Sequence, residues 1–240
     1  MTDHFEGRLR QWSKELGNRL DGMAAGLESI GSMLPVHLPQ QRSRTDLRPL
    51  RASLIAFVQG AVPLCDGAGI AFAQSELADA EFWLEWWRIG PHGERFQPHT
   101  LNPQATGFYD YTNQGWYCLP AVSRAPTLVG PYLDNGGTNL RVVTLARPLM
   151  REGEPFAVIA CDLALAALER SLVRAVGQDR PVALINPSGK IVVTNSPVAV
   201  GRNIARTTHK ASVSGMQPIT VSMTRMDSGW TIVLPPDSFA

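Results

Sequence analysis

Cysteine is scarce in this 240-residue sequence. Its three copies, Cys65, Cys118 and Cys161, are an odd number and include no Cys-x-x-Cys pair. That excludes a disulfide framework and argues against a structural zinc site. Buried reduced thiols are the expectation. Charge of one sign is also lacking. The formal net charge is +1, which removes a bulk electrostatic case for nucleic acid or an anionic membrane. No long hydrophobic run exists. Segments such as Phe156 to Cys161 are far too short to span a bilayer. No apolar signal core follows Met-Thr-Asp-His-Phe-Glu. As written, the chain reads as cytoplasmic, or as a domain cut from a longer protein.

Catalytic equipment is missing too. His4, His37, His92, His99 and His209 are scattered, none at metal-ligand spacing from another His or Cys. No Gly-x-Ser-x-Gly elbow and no phosphate-cradling glycine loop occurs. The sequence therefore offers no catalytic residue, no metal set and no cofactor motif.

What is present is ordinary globular material, with 44% hydrophobic and 18% charged residues. This length holds one large domain or two modest ones. Phe5, Leu9, Trp12, Leu16, Leu20, Met23, Leu27 and Ile30 step by three or four, so residues 5–33 predict one long amphipathic helix. Pro35 and Pro39 are expected to end it. The stripe serves either packing on its own domain or a homodimer contact. A second helix is predicted over 45–59, with Leu47, Leu50, Leu54 and Phe57 on one face.

Asp66-Gly67-Ala68-Gly69 reads as a turn, followed by a strand over 70–74. Glu81 to Ile89, with Trp83, Trp86 and Trp87, favours a strand, and Gly90-Pro91-His92-Gly93 a turn. Leu140–Leu145 and Phe156–Cys161, joined by Arg151-Glu-Gly-Glu154, carry a hairpin signal. A helical period returns from Leu163 to Val176. Hairpins are then predicted for 182–185 with 191–194, and for 219–223 with 230–234, the latter turned by Asp227-Ser-Gly229. The order predicts an α+β fold with antiparallel sheets rather than a doubly wound one.

The most informative stretch is Phe108-Tyr-Asp-Tyr-Thr-Asn-Gln-Gly-Trp-Tyr117, followed by Tyr132, Asp134 and Asp162. Its segments read as strands and strand ends. Aromatic faces and carboxylates together attract a cation, so the stretch points to binding a small amine. Structural alternatives stand beside that reading. Tyr109 and Tyr132 could be core or rim aromatics. Asp134 could cap the turn Leu133-Asp-Asn-Gly-Gly137. Asp162 could be the N-cap of the following helix. Gly115 beside Trp116-Tyr117 would let a ligand approach the backbone closely.

Taken in order, these pieces resemble the double Cache sensor domain of bacterial chemoreceptors and sensor kinases. The resemblance runs over nearly the whole chain. It rests on the long first helix, Trp116-Tyr117, Pro131-Tyr132, Asp134, Val142-Val-Thr144 with Pro148, and the strand ending in Asp162. It continues through Ile185-Asn-Pro-Ser-Gly-Lys-Ile-Val-Val193 and Gly229-Trp-Thr-Ile-Val233. It implies N-terminal helices over 1–60, a larger PAS-like ligand-binding module over 61–170 and a smaller one over 171–240.

In the subgroup that binds amino acids, a tyrosine, an arginine, Trp-Tyr, Tyr-x-Asp and a final Asp form the site. Tyr109, Trp116, Tyr117, Tyr132, Asp134 and Asp162 take those places here. Gln114 stands where the arginine is expected. In the family that arginine grips the ligand carboxylate and the final aspartate grips its amino group. A neutral amide cannot replace a bidentate guanidinium. The resemblance therefore implies a sensor of a biogenic amine, polyamine or quaternary amine. The alternatives are an amino-acid sensor using Gln114, or an interaction protein of the same fold without a ligand. It also implies an extracytoplasmic domain if the chain is part of a receptor.

Overall fold

The computed structural model describes residues 2–34, 42–90, 92–196 and 217–234. The expected helix stops Pro35 and Pro39, the turn residue Pro91, and His37 and His209 lie outside them. The periodicities decide most elements. Helix α1 runs Thr2–Gly31. A short 3-10 turn, Arg44–Leu47, leads into α2, Arg48–Ala61, with Pro49 in its first turn, where a missing N–H costs nothing. Strands β1 (Cys65–Phe72), β2 (Leu84–Gly90) and β3 (Gly93–Phe96) follow. Next come α3 (Gly115–Ser123), β4 (Thr127–Leu133), β5 (Arg141–Arg151) and β6 (Glu154–Ala164). Helix α4 (Leu165–Val176) precedes β7 (Ala183–Ile185), β8 (Ile191–Thr194), β9 (Ile219–Thr220) and β10 (Thr231–Val233).

Among the described residues the architecture is α+β, with every strand pair antiparallel. One sheet has six strands in the order β3-β2-β1-β6-β5-β4, the other four in the order β8-β7-β10-β9. The chain divides into two compact units. One comprises Met1–Gly22 with Leu165–Ala240, the other Met23–Ala164. In the first, Trp12 donates its indole N–H to Ser171 Oγ at 3.0 Å, and Asp21 accepts the backbone N–H groups of Thr224 and Arg225. The core of this unit's sheet is Ala183, Ile185, Ile191 and Val233.

In the second unit, pleat alternation separates two faces of the six-stranded sheet. Glu85, on β2, turns toward α2 and accepts from Arg51 Nε at 2.6 Å and from the indoles of Trp83 and Trp87. Arg147, on β5, reaches Glu28 of α1 at 2.9 Å. The other face carries Leu84, Trp86, Ala146, Val158 and Ala160, packed with Tyr109, Tyr111 and Trp116.

All eight stripe residues of α1 are 6% exposed or less, so the chain itself covers the stripe. At about 1.5–3 kcal/mol per large buried side chain, this burial accounts for the helix's length.

Three local expectations are corrected. Asp66–Gly69 is not a turn but lies within β1, because Gly67 and Gly69 serve close approach of neighbouring side chains rather than a chain reversal. Trp116-Tyr117 lies on helix α3 rather than a strand. Asp110 caps the preceding 3-10 turn Tyr111–Asn113, and the chain continues as a helix from Gly115. Asp162 is not a helix N-cap. It sits in β6, three residues before α4, and its side chain turns across the sheet.

Candidate functional site

The site begins with a row of residues running across four strands. Arg88 on β2, Gly67 on β1, Asp162 on β6 and Thr144 on β5 are successive Cα partners. The next row is Trp86, Gly69, Ala160 and Ala146. Gly67 in the first row and Gly69, Ala160 and Ala146 in the second leave a floor on which a large ring can lie flat. A Cβ on Gly67 would stand 2.7 Å from Trp86 Nε1 and 2.8 Å from Arg88 Cγ. Both side chains therefore rest over that glycine.

The connection between β3 and α3 forms a wall. Tyr109 donates its hydroxyl to Asp134 Oδ1 at 2.7 Å and accepts from Trp116 Nε1 at 3.3 Å. His99 stacks on the Tyr109 ring, with centroids 5.1 Å apart and planes 25° from parallel. The neighbouring Tyr111 works differently. It is fully buried, donates to the Phe72 carbonyl at 2.8 Å and accepts from the Trp83 N–H, so it anchors the wall to the sheet. Asp134 also accepts the Thr138 N–H at 2.6 Å and its hydroxyl at 2.9 Å. It thus caps its turn and faces the cavity at once.

The floor carboxyl is the electrostatic centre. Asp162 is 3% exposed and accepts from Thr144 Oγ1 at 2.7 Å. Tyr132 and Thr144 hydroxyls lie 2.6 Å apart. A hydroxyl has one proton, so Tyr132 donates to Thr144 while Thr144 donates to Asp162. Burial pushes the Asp162 carboxyl up to about 8, the like charge of Asp134 adds to this, and the Thr144 bond opposes it. Burial holds His99 down at about 4, neutral at pH 7. Burial also pushes the hydroxyls of Tyr109 and Tyr132 upward, so both remain protonated donors.

Leu84, Trp86, His99, Tyr109, Trp116, Tyr132, Asp134, Thr138 and Asp162 line a cavity of about 10 Å³. It is so narrow that it takes the centre of only about one water molecule. The structure thus brings together Tyr109, Trp116, Tyr132, Asp134 and Asp162 of the residues expected from sequence. Gln114 and Tyr117 are not in its lining. Gln114 is half-buried at the N-terminus of α3, where its carbonyl accepts from Tyr117 and Cys118. Tyr117 packs edge-on to Tyr111 at 5.4 Å. Sequence reasoning missed Leu84, Trp86, His99 and Thr138. Alternation along β2 was the available signal for Leu84 and Trp86, once Glu85 is assigned to the opposite face. Among the described residues no three His, Cys, Asp or Glu side chains gather to hold a metal ion, and no helix is long and apolar enough to cross a membrane.

Residues 61–170 match the family model for a methyl-accepting chemotaxis protein-like first PDC sensor domain. This segment is similar to a PDC sensor domain. The match spans β1 to β6 and contains every residue of the cavity. The PDC family is one of sensor modules rather than catalysts.

The chain as a whole has the double Cache fold. Over 96% of its length it superposes on 95% of a structure named methyl-accepting chemotaxis protein X, with a TM-score of 0.68 and 18% identity. It covers 98% of itself and 96% of the extracellular domain of a protein described as a histidine kinase, with a TM-score of 0.64 and 19% identity. It also matches the ligand-binding domain of the Pseudomonas aeruginosa PAO1 amino acid chemoreceptor PctC in complex with GABA. That match covers 98% of this chain and all of that one, with a TM-score of 0.62 and 15% identity. No curated protein matches the sequence.

Proposed function

We propose that the PDC domain senses a small ammonium-bearing metabolite, with Asp162 as the group that takes the ammonium. One observation carries this reading. A carboxyl 3% exposed lies at the bottom of an aromatic cavity, and its protein hydrogen bond comes from the neutral Thr144 hydroxyl. An ammonium against the carboxyl would hold it ionised in spite of its burial, and the faces of Trp86, Tyr109, Trp116 and Tyr132 add cation–π attraction. The lining contains no Lys or Arg, which favours a biogenic amine, polyamine or quaternary amine.

An amino acid is the second reading, supported by the likeness to a domain solved with GABA. Under it, Gln114 and Tyr117 approach the ligand when the cavity widens. Widening is needed in either case, because the closed cavity is smaller than any of these ligands. Strand β5 carries Thr144 on the cavity side and Arg147, bonded to Glu28 of α1, on the other. Movement of β5 on binding would therefore pull on α1 and report occupancy. A homodimer along α1 belongs to this proposal, its partner meeting the faces outside the buried stripe. So does an extracytoplasmic placement, as in the extracellular domain described as that of a histidine kinase.

A thermal-shift screen of amines and amino acids tests the reading. A ligand at a hundredfold excess over its Kd adds about 2.7 kcal/mol of apparent stability. Asp162→Asn should abolish the shift while leaving the fold intact. A ligand that shifts the variant as strongly as the native protein would remove Asp162 from the site.

A further inference from the structure

Beyond the ammonium point, the cavity has a second polar feature. Trp86 lines it and is 4% exposed, yet its Nε1–H has no protein acceptor. Arg88, two residues along the same face of β2, bonds Asp66 through Nη2 at 2.7 Å, while its Nε is buried and unpartnered. The indole nitrogen and the Arg88 stem lie within 3 Å of one point above Gly67, and Gly67 is the Cα partner of Asp162. Two unsatisfied donors therefore sit side by side, next to the ammonium-binding carboxyl. A second buried nitrogen of the cavity lining, His99 Nδ1, also has no partner. Buried polar atoms are nearly always paired. Among the described residues only four side-chain atoms fail this, and Trp86, Arg88 and His99 supply three of them.

An indole N–H donates and cannot accept, and a guanidinium only donates. The missing partner must therefore bring an oxygen acceptor. We infer that Trp86 and Arg88 form an oxygen subsite, so that the domain selects ammonium compounds carrying an acceptor oxygen over simple alkylamines. Arg88 stands outside the cavity lining and its Nη2 is held by Asp66, so its Nε is the group left to donate to the subsite. The inference rests on the ammonium reading above. A carboxylate and a neutral hydroxyl share the required chemistry, and they differ in what Arg88 contributes.

The test is calorimetry with butylamine, 4-aminobutan-1-ol and 4-aminobutyrate on the native protein and on Asp162→Asn, Trp86→Phe and Arg88→Gln. One or both oxygen-bearing probes should bind the native protein about tenfold more tightly than butylamine. Trp86→Phe should erase that preference. Arg88→Gln should weaken 4-aminobutyrate far more than the alcohol if a carboxylate is read, and both about equally if a neutral oxygen is read. Butylamine binding as tightly as both others, or a preference that survives Trp86→Phe, overturns the subsite. Neither outcome touches the ammonium reading, which falls only if Asp162→Asn leaves binding unchanged. Absence of binding by all three probes overturns both. A measurement on the native protein guards against misfolding of the variant. The Trp86 indole N–H resonance, assigned through its own backbone, should move with the oxygen-bearing probes and stay with butylamine. A static resonance counts against the subsite.

Discussion

Thr144 and Asp162 are Cα partners on neighbouring strands, and the Thr144 hydroxyl donates to the Asp162 carboxyl at 2.7 Å. This pair couples the strand next to α1 to the charge at the bottom of the cavity. The bond favours the ionised carboxylate and so opposes the rise that burial imposes on Asp162.

Ligand affinity should depend on pH with a definite sign. The Asp162 carboxyl is held near 8 chiefly by burial, so at pH 6–7 the ligand-free protein carries a proton there. An ammonium requires the ionised form and must displace that proton. Affinity should rise with pH, approaching about tenfold per pH unit, and level off above about 8. Titration calorimetry in buffers of different ionisation heat checks this through the proton released.

Stability of the ligand-free protein should run the opposite way. The unfolded carboxyl titrates near 3.8 and the folded one near 8. Between those values the folded state keeps a proton that the unfolded state has lost. Stability contributed by this group therefore falls as pH rises through that window and is flat above it. Asp162→Asn should remove the decline and raise the alkaline melting temperature. Melting curves from pH 5 to 9 would show it.

Gly67→Ala should displace Trp86 and Arg88, because its Cβ would stand 2.7 and 2.8 Å from their atoms and 3.0 Å from the Trp87 carbonyl. A cost of about 1–3 kcal/mol in urea unfolding is expected for such overpacking. Ligand binding should be lost alongside it.

Glu85→Ala should destabilise without touching the cavity, since Glu85 faces α2. It would strand Arg51 and two indole donors. The cost should be about 3 kcal/mol, near the low end for breaking a buried ion pair, because a third of the Arg51 side chain stays in water. Chemical denaturation gives the stability change, and ligand affinity per folded molecule should hold.

Much of this was legible in the sequence because local periodicity reports burial. The α1 stripe and the β5–β6 hairpin stand where their patterns place them. Asp66–Gly69 misled because glycine marks both turns and close packing, and only the position of Trp86 distinguishes the two. Trp116 misled because an aromatic residue suits a strand, while the capped turn before it starts a helix.

By itself the sequence determined the fold class, the order of helices and antiparallel strands, and the pool of rings and carboxylates from which a cation site can be made. Only the tertiary structure decided which of them meet. Asp162 faces Thr144 and Gly67, and Trp86 rather than Tyr117 lines the cavity. The physical reason is register. A slip of one residue turns every side chain of a strand to the opposite face, and pairing between β1 and β6 joins segments about ninety residues apart in the chain. No local pattern carries that information.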